Sequence, residues 1–386
     1  MKIISKICPI FLCCLMAWGC QQPNGSKIGK AIKNVSLPDS LQFATEINGE
    51  KISLYVLKNK NGMEVGLTNF GARIVSLIVA NKNGSRRDVV LGFNKATAYN
   101  NAVEPYFGPI VGPFANRIAK GKFKLNGNTY VLPVNNGSNT LHGGLVGLHF
   151  KSWAVISSSR NQIEFMCTLK DGQEGFPGNR KLIVKYSLND NNELIIDYWG
   201  KSDKTTVLNL TNHAYFNLNG EGSGTILDHQ LQIHAENYTP VDSTLIPTGE
   251  LKNVQGTAFN FLQPKKIGKD INQHDVQLKY GKGFDHNFVL NGTKSGNLNY
   301  ACRLIGDQSG IVMDIYTSEP GLQFYSGNFM SDKVTLKSGK RDSFRTGLCL
   351  EPQHFPDAPN QPSFPSTVVK PNQIYSSKTI YRFSEI

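Results

Sequence analysis

The sequence predicts an all-β protein with one large sheet domain, a sandwich or a barrel. Three observations carry this. Apolar residues recur with period two, turn chemistry separates the runs at short intervals, and no stretch keeps a helical apolar period over several turns. Ile52, Leu54 and Val56 alternate with Lys51, Ser53 and Tyr55. Phe123 and Leu125 alternate with Lys122 and Lys124. Asn126-Gly127 then separates that run from 128–132, a strong hairpin signal because both residues tolerate positive φ. Ile163, Phe165, Cys167 and Leu169 repeat the pattern, followed by Leu182, Val184, Tyr186 and Leu188. Residues 189–192 turn the chain into Leu194, Ile196 and Tyr198, and 307–310 separate 300–305 from 311–317. A short helical turn is expected only near 95–99. No repeat and no linker-like break follows residue 45, so 45–386 is expected to form one domain.

Composition narrows the classes. Of 386 residues, 39% are hydrophobic and 18% charged, which is globular and excludes global disorder. Past the N-terminus no uncharged apolar run reaches 18 residues, which excludes a polytopic helical membrane protein. The net charge of +12 comes from 41 basic and 29 acidic residues, but the lysines are scattered. The longest basic runs are the pairs Arg86-Arg87 and Lys265-Lys266, so a solvated basic surface is expected and no nucleic-acid partner.

The first 19 residues read as a secretory signal. Lys2 and Lys6 precede the apolar run 7–16, and Ala17-Trp18-Gly19-Cys20 follows. The run is too short to span a bilayer comfortably. The ending resembles a bacterial lipobox, with cleavage before Cys20 and acylation of its thiol. The alternative is an ordinary signal peptide cut nearby, leaving a soluble periplasmic protein. Residues 20–44, polar with Pro, Gly and spaced lysines, read as a tether. An exported, membrane-anchored lipoprotein is expected, periplasmic or on the outer membrane, since Gln21 follows Cys20 where Asp would signal retention at the inner one. Three of the seven cysteines then leave with the signal and Cys20 carries lipid. Cys167, Cys302 and Cys349 remain, without metal-ligand spacing, and are expected to be buried free thiols.

No glycine-rich nucleotide loop, nucleophile elbow or HExxH motif occurs, so neither metal nor cofactor is expected. Several polar residues do sit where core or turn residues belong. Residues 208–218 read as a strand with His213 embedded beside Asn212 and Tyr215; His213 fits a satisfied core histidine as readily as a working group. Glu351 ends the apolar run 347–350, and a carboxylate there is either paired or functional. Asp285 and His286 follow Gly283-Phe284, an Asx turn as readily as a site. Asn116-Arg117 follows Gly112-Pro113, and His142 opens Gly143-Gly144. Two histidines, two carboxylates, one arginine and several amides suit a neutral, hydroxyl-rich ligand that needs proton transfer.

At these residues the sequence resembles the aldose 1-epimerase (galactose mutarotase) family, from about Phe43 to Phe383. The matching stretches are Thr68-Asn69-Phe70-Gly71-Ala72, Ala115-Asn116-Arg117-Ile118, Leu141-His142-Gly143-Gly144, Glu174-Gly175-Phe176-Pro177-Gly178, 209–218, 283–288, 319–328, 350–355 and 362–367. The resemblance implies a large antiparallel β-supersandwich and an enzyme that interconverts the α and β anomers of free aldohexoses such as glucose and galactose, without a cofactor. It implies that Glu351 is the general base at the anomeric hydroxyl and His213 the general acid at the ring oxygen. It places His142 near that oxygen and Arg117 and Asp285 on sugar hydroxyls, with Asn116, Gln323 and Tyr215 also at the substrate. Pro113 and Phe114 stand where the family often has Arg, and Phe284 where Tyr is common before Asp285; both departures bear on sugar preference. The alternatives are an epimerase for a different or modified aldose, and a sugar-binding lipoprotein without turnover. Retention of both His213 and Glu351 argues against the latter.

Overall fold

The computed structural model describes residues 35–80, 84–292 and 298–386. The signal segment, Cys20 and the tether up to residue 34 lie outside the described residues. The packed body begins before residue 45: Asp39 caps a 3₁₀ turn at Ser40–Gln42, and Phe43 is fully buried, with its ring 6.4 Å from that of Tyr99. An aromatic core residue there takes the end of the expected tether into the fold.

Strands dominate. A nine-stranded antiparallel sheet runs, in spatial order, Ala154–Ser158, Gln162–Leu169, Arg180–Leu188, Glu193–Ser202, Tyr375–Glu385, Ile311–Thr317, Asn299–Ile305, Gln230–Ile233 and Lys265–Lys266. The C-terminal strand sits in the middle of that order. The predicted alternation holds here: Ile163, Phe165, Leu182, Val184, Tyr186, Leu194 and Ile196 are all fully buried on one face. A six-stranded sheet runs Tyr215–Phe216, Leu348–Gln353, Gly321–Tyr325, Asp285–Val289, Asn237–Tyr238 and Lys252–Asn253. One continuous apolar core draws side chains from both sheets, including Leu322, Phe324, Leu348 and Leu350 from the second. This is the sandwich expected.

The predicted hairpins form. Lys122–Leu125 pairs with Asn128–Val131 around Asn126 at φ 50° and Gly127 at φ 81°, the left-handed pair that a two-residue turn requires. The short helix near 95–99 is Ala96–Asn100. A second helix, Val276–Gly281, was not anticipated; Asp275 caps it by accepting from the backbone N–H groups of Gln277 and Leu278. Two strand assignments need correction. The run 51–56 is not one strand: it breaks at Ser53, whose N–H donates to Asn69 Oδ1, and Leu57, not Val56, is buried. The run 208–218 holds two short strands, Thr211–Asn212 and Tyr215–Phe216, with His213 at the break between them.

Candidate active site

The six-stranded sheet has two unlike faces because side chains alternate along each strand. Leu322, Phe324, Leu348 and Leu350 point into the apolar core. The other face carries Asp285 and Asn287, then Gln323 and Tyr325, then Cys349 and Glu351. The register sets Gln323 directly between Asn287 and Glu351, and Tyr325 between Asp285 and Cys349. A row of polar groups on a strand that is buried throughout is costly without partners or a task.

Loops bring the opposing wall. Thr211–Asn212 pairs with Ile110–Val111, and the Asn212 side chain bonds the Gly108 carbonyl and the Ala214 N–H. This bend turns His213 toward Glu351. A two-residue ladder pairs Leu141 with Arg117, which sets Asn116 and His142 side by side, both at positive φ. Gly143 seals that junction: at φ 88°, any Cβ there would collide with the Gly112 carbonyl. The result is a pocket of about 530 Å³. Its wall includes Asn116, Arg117, His142, His213, Tyr215, Asp285 and Glu351, seven of the eight catalytic and sugar-binding residues expected from sequence. Gln323, the eighth, stands behind the wall and donates to Asp285 Oδ1 at 2.7 Å, so it orients Asp285.

Glu351 Oε1 lies 3.6 Å from His213 Nε2, both side chains nearly fully buried. That separation is too long for a good direct hydrogen bond and leaves both groups turned to the pocket. Burial first, and the nearby Asp285 charge second, push the Glu351 carboxyl well above its usual range. Burial lowers His213 to about 4, against the pull of two backbone carbonyls, its own and that of Tyr106. Burial therefore favours the neutral pair, a carboxylic acid beside a neutral imidazole.

His142 Nδ1 accepts from the Asn116 N–H at 3.2 Å. Burial, and after it the neighbouring His213, His149 and Arg117, lower its pKa well below the usual range, so the ring is neutral and its proton sits on Nε2. One polar atom from each of His142, His213 and Glu351 lies within 4.8 Å of the others, a spacing that invites a metal ion. The His142 contacts oppose that: Nδ1 is engaged by Asn116, and a protonated Nε2 has no lone pair to give. The wall instead donates to oxygen. Arg117 Nε donates to Asn136 Oδ1 at 3.1 Å, and its guanidinium lies 3.6 Å from Asp285 Oδ2. An arginine and a carboxylate held side by side in a buried wall grip vicinal hydroxyls.

Sequence reasoning missed Glu104, Tyr106, Tyr325 and Phe329, which also line the pocket. Tyr106 lies among three imidazoles, 4.8 Å from His142 and from His149 and 5.7 Å from His213 between ring centres. Glu104 accepts from the Tyr106 N–H at 3.0 Å, and burial pushes its carboxyl up to about 7. An acid beside Pro105 was the only available signal, and any exposed turn shows as much. His286, by contrast, is fully buried away from the pocket, with Nε2 3.2 Å from Gln277 Oε1.

This geometry can place a proton donor and an acceptor on two neighbouring oxygens of a neutral hydroxylated ligand. Comparisons with known proteins agree with it. The family model described as Aldose 1-epimerase matches residues 53–382. The chain is 44% identical to galactose mutarotase of Bos taurus over 322 residues, 83% of this chain and 91% of that one. It is 36% identical to aldose 1-epimerase of Escherichia coli over 87% of this chain and 96% of that one. Among solved structures, an aldose epimerase homologue from C. elegans superposes with a TM-score of 0.79 at 32% identity, covering 87% of this chain and 99% of that one.

Proposed function

The chain belongs to the aldose 1-epimerase family, an isomerase that interconverts the α and β anomers of free aldoses, and we propose that Glu351 and His213 carry its proton transfers. The observation that bears the most weight is the 3.6 Å separation of Glu351 Oε1 and His213 Nε2 across a buried pocket. In the productive state Glu351 is ionised and His213 is the imidazolium. Glu351 takes the proton from the anomeric hydroxyl while His213 gives one to the ring oxygen, and the bond between C1 and that oxygen breaks. The products are an aldehyde at C1, a free hydroxyl at C5, a neutral carboxylic acid and a neutral imidazole. Rotation about C1–C2 turns the other face of the aldehyde toward the C5 hydroxyl. His213 then removes the hydroxyl proton as the ring closes, and Glu351 returns its proton to the carbonyl oxygen. Atoms and charge balance, and the enzyme regains its starting state.

Burial favours the neutral pair, which is the state of the two groups while the sugar is open. Arg117, Asp285 and His142 hold hydroxyls and the ring, with Asn116 and Gln323 fixing their positions. Galactose and glucose are the proposed substrates, on the names of the relatives and the neutral, donor-rich wall. Polarimetry on freshly dissolved α-galactose and α-glucose tests this. Accelerated decay to the equilibrium rotation is expected for both; sugar binding without acceleration would identify a binding protein.

The protein is also proposed to be exported and lipid-anchored at Cys20. The support is the order of Lys2, Lys6, the apolar run 7–16 and Ala17-Trp18-Gly19-Cys20. Among the described residues no helix is long and apolar enough to cross a membrane, so attachment would come from the N-terminal lipid.

A further inference from the structure

His213 is bracketed by two side chains of one strand. Cys349 and Glu351 are two apart on Leu348–Gln353 and so project from the same face. Glu351 Oε1 lies 3.6 Å ahead of His213 Nε2, and Cys349 Sγ lies 3.5 Å behind Nδ1. We propose that Cys349 is a positioning residue that holds the Nδ1 side of the His213 ring, so that Nε2 faces the substrate and Glu351. The inference rests on His213 being the acid.

A thiol suits this place chemically. Sulfur is both a weak donor and a weak acceptor. It accepts from Nδ1–H both while the ring is charged and after Nε2 has given up its proton, because the neutral imidazole so formed keeps its proton on Nδ1. Burial first, and the nearby carboxylates of Glu351, Glu104 and Asp285 after it, raise the Cys349 pKa well above the usual thiol range, so the sulfur stays an uncharged thiol. A carboxylate behind the ring would hold it permanently charged, and an apolar residue would leave it only the two backbone carbonyls, of His213 and Tyr106, that also act on it. The rings of His142, Tyr106 and Tyr215 pack at 4.9, 5.7 and 5.3 Å, and Arg73 and His149 act on it only through their charge.

The test uses the whole enzyme with Cys349→Ala and Cys349→Ser, read by kcat, KM, the pH profile and the ¹⁵N shifts of the His213 ring. In the unliganded wild type His213 should be protonated on Nδ1, leaving Nε2 free to take the Glu351 proton. Cys349→Ala should lose about five- to tenfold in kcat with KM little changed, and its acid limb should move to lower pH because the charged ring loses an acceptor. Cys349→Ser should restore most of the rate and move the acid limb up, because a hydroxyl accepts more strongly than a thiol. Opposite shifts are not expected of a residue that only fills space. Wild-type kcat and pH profile in Cys349→Ala, or a wild-type ring protonated on Nε2, would overturn the inference. Normal turnover in His213→Asn would instead overturn the assignment on which it rests. If Cys349→Ala does not fold, the serine variant and the wild-type spectrum still decide.

Discussion

Glu351 and His213 meet across 3.6 Å in a pocket whose burial pushes each toward its neutral form. Two groups that share a proton titrate as a unit. Below about pH 4 the pair takes a second proton as His213 charges, and Glu351 can no longer act as a base. Above the raised Glu351 range the pair loses its last proton and no acid remains. Turnover should therefore show an acid limb near the His213 value of about 4 and an alkaline limb above the ordinary glutamate range. An initial-rate profile corrected for spontaneous mutarotation checks this; an acid limb at the ordinary histidine value would show that the pair is not buried in solution.

Arg117→Ala should act mainly on binding. The guanidinium touches Asp285 and Asn136 at the pocket wall, and its proposed role is to hold sugar hydroxyls equally in ground and transition states. About a tenfold rise in KM with kcat changed less than about threefold is expected. Equal losses in kcat and kcat/KM would place Arg117 in the chemistry.

Glu351→Gln should stabilise the fold while removing the base. The folded pKa of Glu351 is raised above the unfolded value. Below the unfolded pKa the carboxyl is neutral in both states and costs nothing. As pH rises the unfolded chain ionises first, so stability falls until the folded group ionises too. Glutamine has no such loss. Melting temperatures of variant and wild type should differ little at about pH 4 and by a few degrees in the variant's favour at about pH 8.

Cys20→Ser should move the protein from the membrane to the soluble fraction without changing the activity of the folded body, because every proposed site residue lies at or beyond Glu104. Fractionation with activity assays checks both. Protein that is already soluble before the change contradicts the anchor.

The large sheet was legible because one of its faces is buried and the other is not: Ile163 to Leu169 and Leu182 to Leu188 alternate cleanly, while Asn126-Gly127 marks the turn of a separate two-stranded hairpin by chemistry alone. The site sheet hid from the same test. Its strands are buried on both faces, so Asp285, Gln323 and Glu351 interrupt an otherwise apolar pattern without revealing which face they share. The site residues were therefore located through ordered family resemblance, while register, which puts Gln323 between Asn287 and Glu351, needed the structure. Tyr106 and Glu104 escaped because the turn holding them has no period. Cys349 read correctly as a buried thiol, but the sequence contains nothing to say that its neighbour is His213.

The most direct test is the mutarotation rate of Glu351→Gln, beside His213→Asn and the double variant, on protein verified as folded and sugar-binding. Glutamine keeps the shape of Glu351 and cannot take a proton; asparagine keeps a polar group near His213 and cannot shuttle one. Each single change should cost about 10²-fold or more in kcat, and the double change much less than the product of the two, because the groups work as one unit. Near-normal turnover in folded Glu351→Gln would contradict the mechanism.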